Sequence, residues 1–178
     1  LPAVAETRTI LTALAFLTVG ISLKLALFPL HLWLPNAYAF APSVVSAFLA
    51  ATATKVAVYA LIRIYFTIFG GVDVFATLAV REVLMGLAIV AMFAGSLVAI
   101  YQNNVKRMLA YSSIAQIGYM VLGISIASVT GLSGGIIHLF NHALMKGALF
   151  LAMGCVFLRL GSVHIRDLDG IGRRLPLT

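Results

Sequence analysis

The chain has 178 residues, of which 62% are hydrophobic and only 10% are charged, and its formal net charge is +7. Soluble domains carry about a quarter charged residues, so this composition excludes a soluble globule and indicates an integral membrane protein. The twelve Lys and Arg residues form no basic stripe with interleaved aromatics, which argues against a nucleic-acid surface.

Five apolar runs are long enough for a helix that crosses a bilayer, which needs about 20 residues. They cover residues 10–28, 44–69, 83–101, 108–129 and 134–158. We therefore predict an all-α fold, a polytopic transmembrane helix bundle with about five spans. Because no linker divides the sequence, residues 1–178 are expected to form a single bundle. The chain opens without Met, and we expect it to be a piece of a longer protein.

Each of the first two runs contains a lysine. Lys24 stands four residues before Phe28, near the end of its run. A side chain that extends to the membrane interface therefore explains a lysine at this position about as well as a functional role does. Lys55 has about a dozen apolar or small residues on each side, a depth at which a charge is costly. None of the five runs contains Asp or Glu. We expect either a neutral lysine at this depth or a counter-charge outside this chain.

The stretch "FPLHLWLPNAYAFAPS", residues 28–43, separates these two runs and contains three prolines. Proline lacks a backbone donor and disfavours helix in the preceding residue. A loop or a broken helix near the membrane interface is therefore predicted, a place that suits Trp33 and Tyr38.

The distribution of basic residues predicts the orientation. Lys106 and Arg107 in "QNNVKRM" follow the third run, and Arg159, Arg166, Arg173 and Arg174 follow or close the fifth. With five spans these segments fall on one side together with the Pro-rich stretch, and the positive-inside rule places that side in the cytoplasm. The opposite side carries Arg8, Arg63 and Arg81, partly offset by Glu6, Asp73 and Glu82.

The fourth run has a polar flank. Its members are Ser112, Ser113, Gln116 and Tyr119. Such side chains bond helix to helix or hold water, and the structural role is the favoured interpretation.

The fifth run carries His138, His142 and Lys146 at a constant step of four in "HLFNHALMKGALF". A step of four advances a helix by a net 40°, so the three side chains lie within about 80° of one face and over roughly 12 Å of rise. Ionisable groups at this depth usually mark ion pathways, and a column of them can pass protons. We therefore predict a proton or ion pathway.

Three simpler interpretations of this column remain open. His138 suits an interface or a helix–helix hydrogen bond, and Lys146 could extend to the membrane surface, although apolar residues precede and follow it. Two histidines four residues apart also suit a metal ion, but no Cys, Asp or Glu lies nearby in sequence to complete the site. No metal and no cofactor is predicted.

Four stretches together carry a family resemblance. They are "KLALFPLHLWLPNAYAFAPS", "TKVAVYALIR", "NNVKRMLAYSSIAQIGYMVLG" and "HLFNHALMKGALFLAMG". In this order they resemble the antiporter-like subunits of respiratory complex I and the multisubunit Mrp-type cation/proton antiporters. The family loop often reads "LPDAH", whereas this chain has "LPNAY", a variant closer to the Mrp-type branch.

The resemblance implies a longer subunit, built of two inverted five-helix repeats around a proton-conducting axis of lysines, histidines and water. By resemblance, Lys24 is the switch lysine before the broken helix, normally paired with a glutamate on an earlier helix. Lys55 corresponds to the axis lysine of the next helix, and His138, His142 and Lys146 to the segment that links two half-channels.

We therefore expect a proton-translocating membrane subunit, with no redox chemistry or cofactor of its own. Its partners would be other membrane subunits, the lipid bilayer, protons and, as a second ion, sodium. Its location would be the inner membrane of a bacterium. The type of complex stays open among complex I, an Mrp-type antiporter and a related hydrogenase. The alternative functions are a structural membrane scaffold and, less favoured, a metal-binding bundle.

Overall fold

The computed structural model describes residues 8–69 and 79–175, which contain seven α-helices and no β-strand. The all-α prediction is confirmed. A π-helical segment, Arg63–Ile68, extends the third helix, and a 3₁₀ helix, Ile165–Leu168, precedes the last one. The helices are α1 (Arg8–Leu25), α2 (Trp33–Phe40), α3 (Ser43–Ile62), α4 (Val80–Ile100), α5 (Val105–Ser125), α6 (Val129–Leu160) and α7 (Ile171–Arg174).

Five of these helices are long and apolar enough to cross a membrane: α1, α3 with its π-helical extension, α4, α5 and α6. They match the five predicted runs, but several boundaries differ because polar caps set them. Asn104 accepts a hydrogen bond from the Arg107 amide at 3.2 Å and begins α5 three residues before the predicted run. Ser128 caps α6 in the same way, so α6 begins five residues early.

The Pro-rich stretch is a broken helix. Residues 26–32 are non-helical, and the two-turn helix α2 follows before Pro42 leads into α3. Pro35 is the third residue of α2, where a missing amide proton costs nothing because first-turn amides have no intrahelical partner. Trp33 donates its indole N–H to the Leu23 carbonyl at 2.9 Å and so ties the break to α1.

The core of the bundle is formed by α3, α5 and α6, with α4 against α5, α1 against α3, and α2 against α5 and α3. The α4–α5 contact is close because glycines face the partner backbone. A Cβ on Gly95 would lie 2.8 Å from the Ala115 nitrogen, and one on Gly118 would lie 2.7 Å from the Ala88 oxygen.

The outer faces of the bundle are apolar. Large side chains of α1 and α4, such as Phe16, Phe93 and Leu97, are exposed. A protein in water would not leave such faces uncovered, whereas lipid or a neighbouring apolar helix covers them without cost. The chain is a multi-pass integral membrane protein.

The segments predicted to share one side do so. The Val105 amide donates to the Val163 carbonyl at 2.9 Å and the Ile165 amide to the Asn103 carbonyl at 3.0 Å, which joins the α4–α5 connection to the chain after α6. Arg107 also donates to the Asn36 side-chain oxygen at 2.6 Å, so α2 lies at the same end of the bundle. Glu6 and Asp73, which were expected on the opposite side, lie outside the described residues.

Candidate functional site

The candidate site lies where α3 and α6 pack together. Lys55 of α3 and His142 and Lys146 of α6 are almost fully buried, with exposed fractions of 5%, 0% and 3%. The three side chains interact electrostatically with one another. Lys55 is 87 positions from His142 and 91 from Lys146 in the sequence, and the packing of α3 on α6 brings the three ionisable groups into one apolar interior.

Lys146 has neutral hydrogen-bond acceptors on α5. Its Nζ donates to the Leu109 carbonyl at 2.8 Å and to the Ser112 hydroxyl at 2.5 Å. The Leu109 carbonyl also accepts from Ser112 and Ser113, each at 3.0 Å. Neutral oxygens bind either an ammonium or an amine, so this environment accepts both protonation states of Lys146.

Lys55 finds its acceptor on its own helix, where its Nζ donates to the Ala50 carbonyl. Among the described residues its acceptors, like those of Lys146, are neutral oxygens. The two lysines are close enough to repel when both carry a charge. The described acidic residues lie outside the middle of the spans: Glu82 in the first turn of α4, Asp167 in the 3₁₀ helix and Asp169 just after it.

The histidines continue the polar column along α6. The rings of His138 and His142 are 6.1 Å apart between centroids and stacked at 11°, and Tyr119 of α5 meets His138 edge-on at 6.0 Å. Both ring nitrogens of His142 are buried without a hydrogen-bond partner among the described residues. Nor does any group of three His, Cys, Asp or Glu side chains with the spacing of a metal site occur in the part of the chain that the structure describes.

Lys24 is separate from this group. It lies in the last turn of α1 with its side chain exposed, and no hydrogen bond or ion pair joins it to the described residues. The structure thus brings together four of the five predicted site residues, namely Lys55, His138, His142 and Lys146, and leaves Lys24 at the outer face.

Two features of the site region were not predicted from the sequence. The polar flank of α5 suits helix–helix hydrogen bonds in general, but the sequence does not show that Ser112 is the side-chain partner of Lys146. The sequence indicates only an orienting charge at Lys106, yet just 5% of it is exposed and its Nζ donates to the Ala41 carbonyl at 3.2 Å. Both hydrogen bonds join residues that are far apart in the chain, so no local sequence pattern predicts them.

His31 in the break is a further histidine near α5. Its ring stacks on Phe28 at 5.2 Å and meets Tyr111 edge-on at 6.4 Å. Burial lowers the pKa of His31, although a hydrogen bond with the Pro29 backbone opposes the shift. The lowered pKa favours the neutral form of the His31 ring.

Comparison with known proteins places this geometry in a family. Residues 2–178 match the family described as NADH:quinone oxidoreductase/Mrp antiporter, transmembrane. The NADH-quinone oxidoreductase subunit N of Desulforudis audaxviator is 44% identical over 179 aligned residues, which cover 100% of this chain and 35% of that protein. The F(420)H(2) dehydrogenase subunit N of Methanosarcina mazei is 36% identical, with 99% of this chain and 38% of that protein covered.

Solved structures show the same likeness. A chain of the membrane-bound sulfane sulfur reductase, an archaeal respiratory membrane complex, superposes with a TM-score of 0.87 at 35% identity, over 99% of this chain and 35% of that one. A chain of the Mrp complex from Dietzia sp. DQ12-45-1b gives a TM-score of 0.79 at 33% identity, over 86% and 28%.

The chain spans just over a third of the length of the curated relatives that it matches. The family model covers residues 2–178 of this chain, including the Pro-rich break and the His138–Lys146 column. The chain therefore belongs to the NADH:quinone oxidoreductase/Mrp antiporter transmembrane family.

Proposed function

We propose that this chain is part of a proton-translocating membrane subunit in a multisubunit complex, and that protons move along Lys55, His142 and Lys146. One observation carries the proposal: three ionisable side chains from two helices are buried together, and no carboxylate of the described residues balances them. Packing alone gives no reason to keep such groups in an apolar interior, where a charge is costly.

The contacts support movement of a proton through the group. Lys146 and Lys55 bind neutral oxygens, so losing a proton leaves each amine with a partner that still accepts a hydrogen bond. Two nearby ammonium groups repel strongly in a poorly solvated interior, so a proton on one lysine disfavours a proton on the other. Water at the His142 ring nitrogens would satisfy them and extend the path toward His138.

The rest of the path belongs to the longer protein. Lys24 is exposed on α1, a position open to a helix outside this chain, and a carboxylate on such a helix would pair with it. We place the chain within a larger membrane domain, with other membrane subunits as partners and the inner membrane of a bacterium as its location. Sodium is the second candidate ion, since the family includes Mrp antiporters.

The proposal is tested in the full complex reconstituted into liposomes. Lys146→Met leaves an unbranched side chain that is one atom shorter and removes the titratable amine, and we expect at least a tenfold loss of proton uptake, measured with a pH-sensitive dye. Arg173→Gln is the matched control, because it removes a positive charge from the exposed tail and should leave uptake unchanged.

The experiment also separates transport from a scaffold role. A scaffold predicts that Lys146→Met lowers the yield of assembled complex while uptake per assembled complex stays normal. That outcome would refute the proton path. Repeating the assay over a series of sodium concentrations shows whether sodium is exchanged for protons.

A further inference from the structure

A third buried lysine, Lys106, lies apart from Lys55 and Lys146, at the end of the bundle. Lys106 in the first turn of α5 donates to the Ala41 carbonyl at 3.2 Å, and its Nζ lies 5.8 Å from the centroid of the Phe157 ring. An ammonium has three N–H donors, and one carbonyl with one ring face does not use them all. None of the described carboxylates pairs with it. Within residues 8–69 and 79–175, Lys106 is therefore a buried cation with no anionic partner.

Lys106 lines a cavity of about 570 Å³ between the end of α2, the start of α3 and the last turns of α6. The remaining lining is mostly apolar and includes Phe40, Val44, Phe157 and Leu158. These four side chains are among the exposed large hydrophobic groups of the bundle. The cavity is thus continuous with the outer apolar surface and has one positive group at its base.

The cavity lies at the boundary of the membrane. α3 begins at Ser43, α5 begins at Val105 and α6 ends at Leu160, so three spans end around it. Arg159 is exposed and follows Cys155 of the cavity wall by four residues, which places it near the same face of α6. A second cation, this one exposed, therefore lies one helical turn from the cavity wall.

We propose that this cavity binds an anionic phospholipid. The phosphate accepts hydrogen bonds from Lys106 and, at the rim, from Arg159, and the acyl chains lie against Phe40, Val44 and Leu158. Basic pockets between membrane helices bind anionic headgroups in this way. A carboxylate-bearing helix from outside this chain would also match this wall and this charge, and the experiment below distinguishes it from a lipid. The inference does not depend on the proposed proton path.

The test measures which lipids stay with the full complex. The complex is equilibrated in nanodiscs of equal parts phosphatidylglycerol and phosphatidylcholine, and the retained lipids are counted by native mass spectrometry. We expect the wild type to retain phosphatidylglycerol in excess. Lys106→Met should lower that excess by about fivefold, the factor for one lysine contact with an anionic membrane. Lys106→Arg should keep the excess.

Two further variants separate this cavity from other lipid contacts of the complex. Arg166→Gln removes a charge from the exposed 3₁₀ helix and should change nothing. Leu158→Trp fills the cavity from an exposed position and should displace phosphatidylglycerol even if Lys106→Met does not assemble. Equal retention of the two lipids by the wild type, or an unchanged excess in both Lys106→Met and Leu158→Trp, would overturn the proposal. A partner carboxylate bound to Lys106 would do the same.

Discussion

At the scale of single residues, the contact between Lys146 and Ser112 is the most direct support for a chemical role of the column. The hydroxyl of Ser112 is 2.5 Å from the lysine nitrogen, whereas the neighbouring Ser113 hydroxyl bonds only the Leu109 carbonyl. Two adjacent serines on one helix therefore differ in this one contact, and they form a natural matched pair for mutation.

We predict that Ser112→Ala lowers proton uptake by the reconstituted complex about tenfold, because a hydrogen bond to a charged group contributes about 1.5 kcal/mol or more and about 1.4 kcal/mol corresponds to a factor of ten in rate. Ser113→Ala should leave uptake within about twofold, since the Leu109 carbonyl retains other donors. Equal losses in the two variants would mean that general packing of α5, not the Lys146 contact, matters.

The sequence predicted the part of the site that is local. His138, His142 and Lys146 share a face because of helical spacing alone. The burial of His142 and Lys146 beside Lys55 follows from a helix contact that no spacing encodes. The serine partner of Lys146 and the burial of Lys106 depend on contacts across 34 and 65 residues. A charge beside an apolar run looks the same in sequence whether it faces water or a cavity.

At the scale of helices, the close approach of α4 and α5 depends on small residues. Gly118 faces the α4 backbone with no room for a methyl group, while Gly86 on α4 has no atom within 4 Å of where a Cβ would stand. The hydropathy and the length of the two helices do not distinguish these glycines. Only the contact geometry does.

We predict opposite effects for the same substitution at these positions. Gly118→Ala must push α4 away from α5 and should destabilise the protein by about 1–3 kcal/mol. Gly86→Ala fills open space and should stabilise α4 by about 0.5–1 kcal/mol, the usual preference of a helix for Ala over Gly. The measurement is the thermal denaturation midpoint of the complex in one detergent. A drop of similar size in both variants would contradict the close contact.

The five long helices can be predicted from the sequence, but the residues at which they begin and end are harder to predict. The length of an apolar run is a local property, so all five long helices were predicted. The exact starts of α5 and α6 are set by Asn104 and Ser128, whose side chains add a turn to each apolar run. A broken helix is one of the two predicted forms of the Pro-rich stretch, and α2 is its helical part. The bounds of α2 do not follow from the sequence, because the first turn of a helix tolerates proline.

At the scale of the whole molecule, the charges divide between two ends of the bundle. Lys106, Arg107 and the basic tail lie at the end where α5 begins, and the hydrogen bonds of Val105 and Ile165 hold these segments together. The positive-inside rule predicts that this end faces the cytoplasm.

Single cysteines in a background without other cysteines test the orientation. Asp169→Cys in the exposed tail should react with a membrane-impermeant maleimide only in inverted vesicles. Val129→Cys, at the exposed start of α6 on the opposite end, should react only in right-side-out vesicles. Labelling with the reverse pattern would place the tail outside and reject the charge argument for this chain.

The hydrogen bond from Val105 to Val163 has a mechanical consequence. α6 carries Lys146, the chain just after α6 is fastened to the first residue of α5, and α5 supplies the Leu109 carbonyl to the same lysine. α5 and α6 are therefore joined at two separate points, by the hydrogen bond from Lys146 to the Leu109 carbonyl and by the hydrogen bond from Val105 to Val163. One helix cannot slide along the other without breaking both, so the depth of Lys146 relative to its acceptors is fixed by the chain itself.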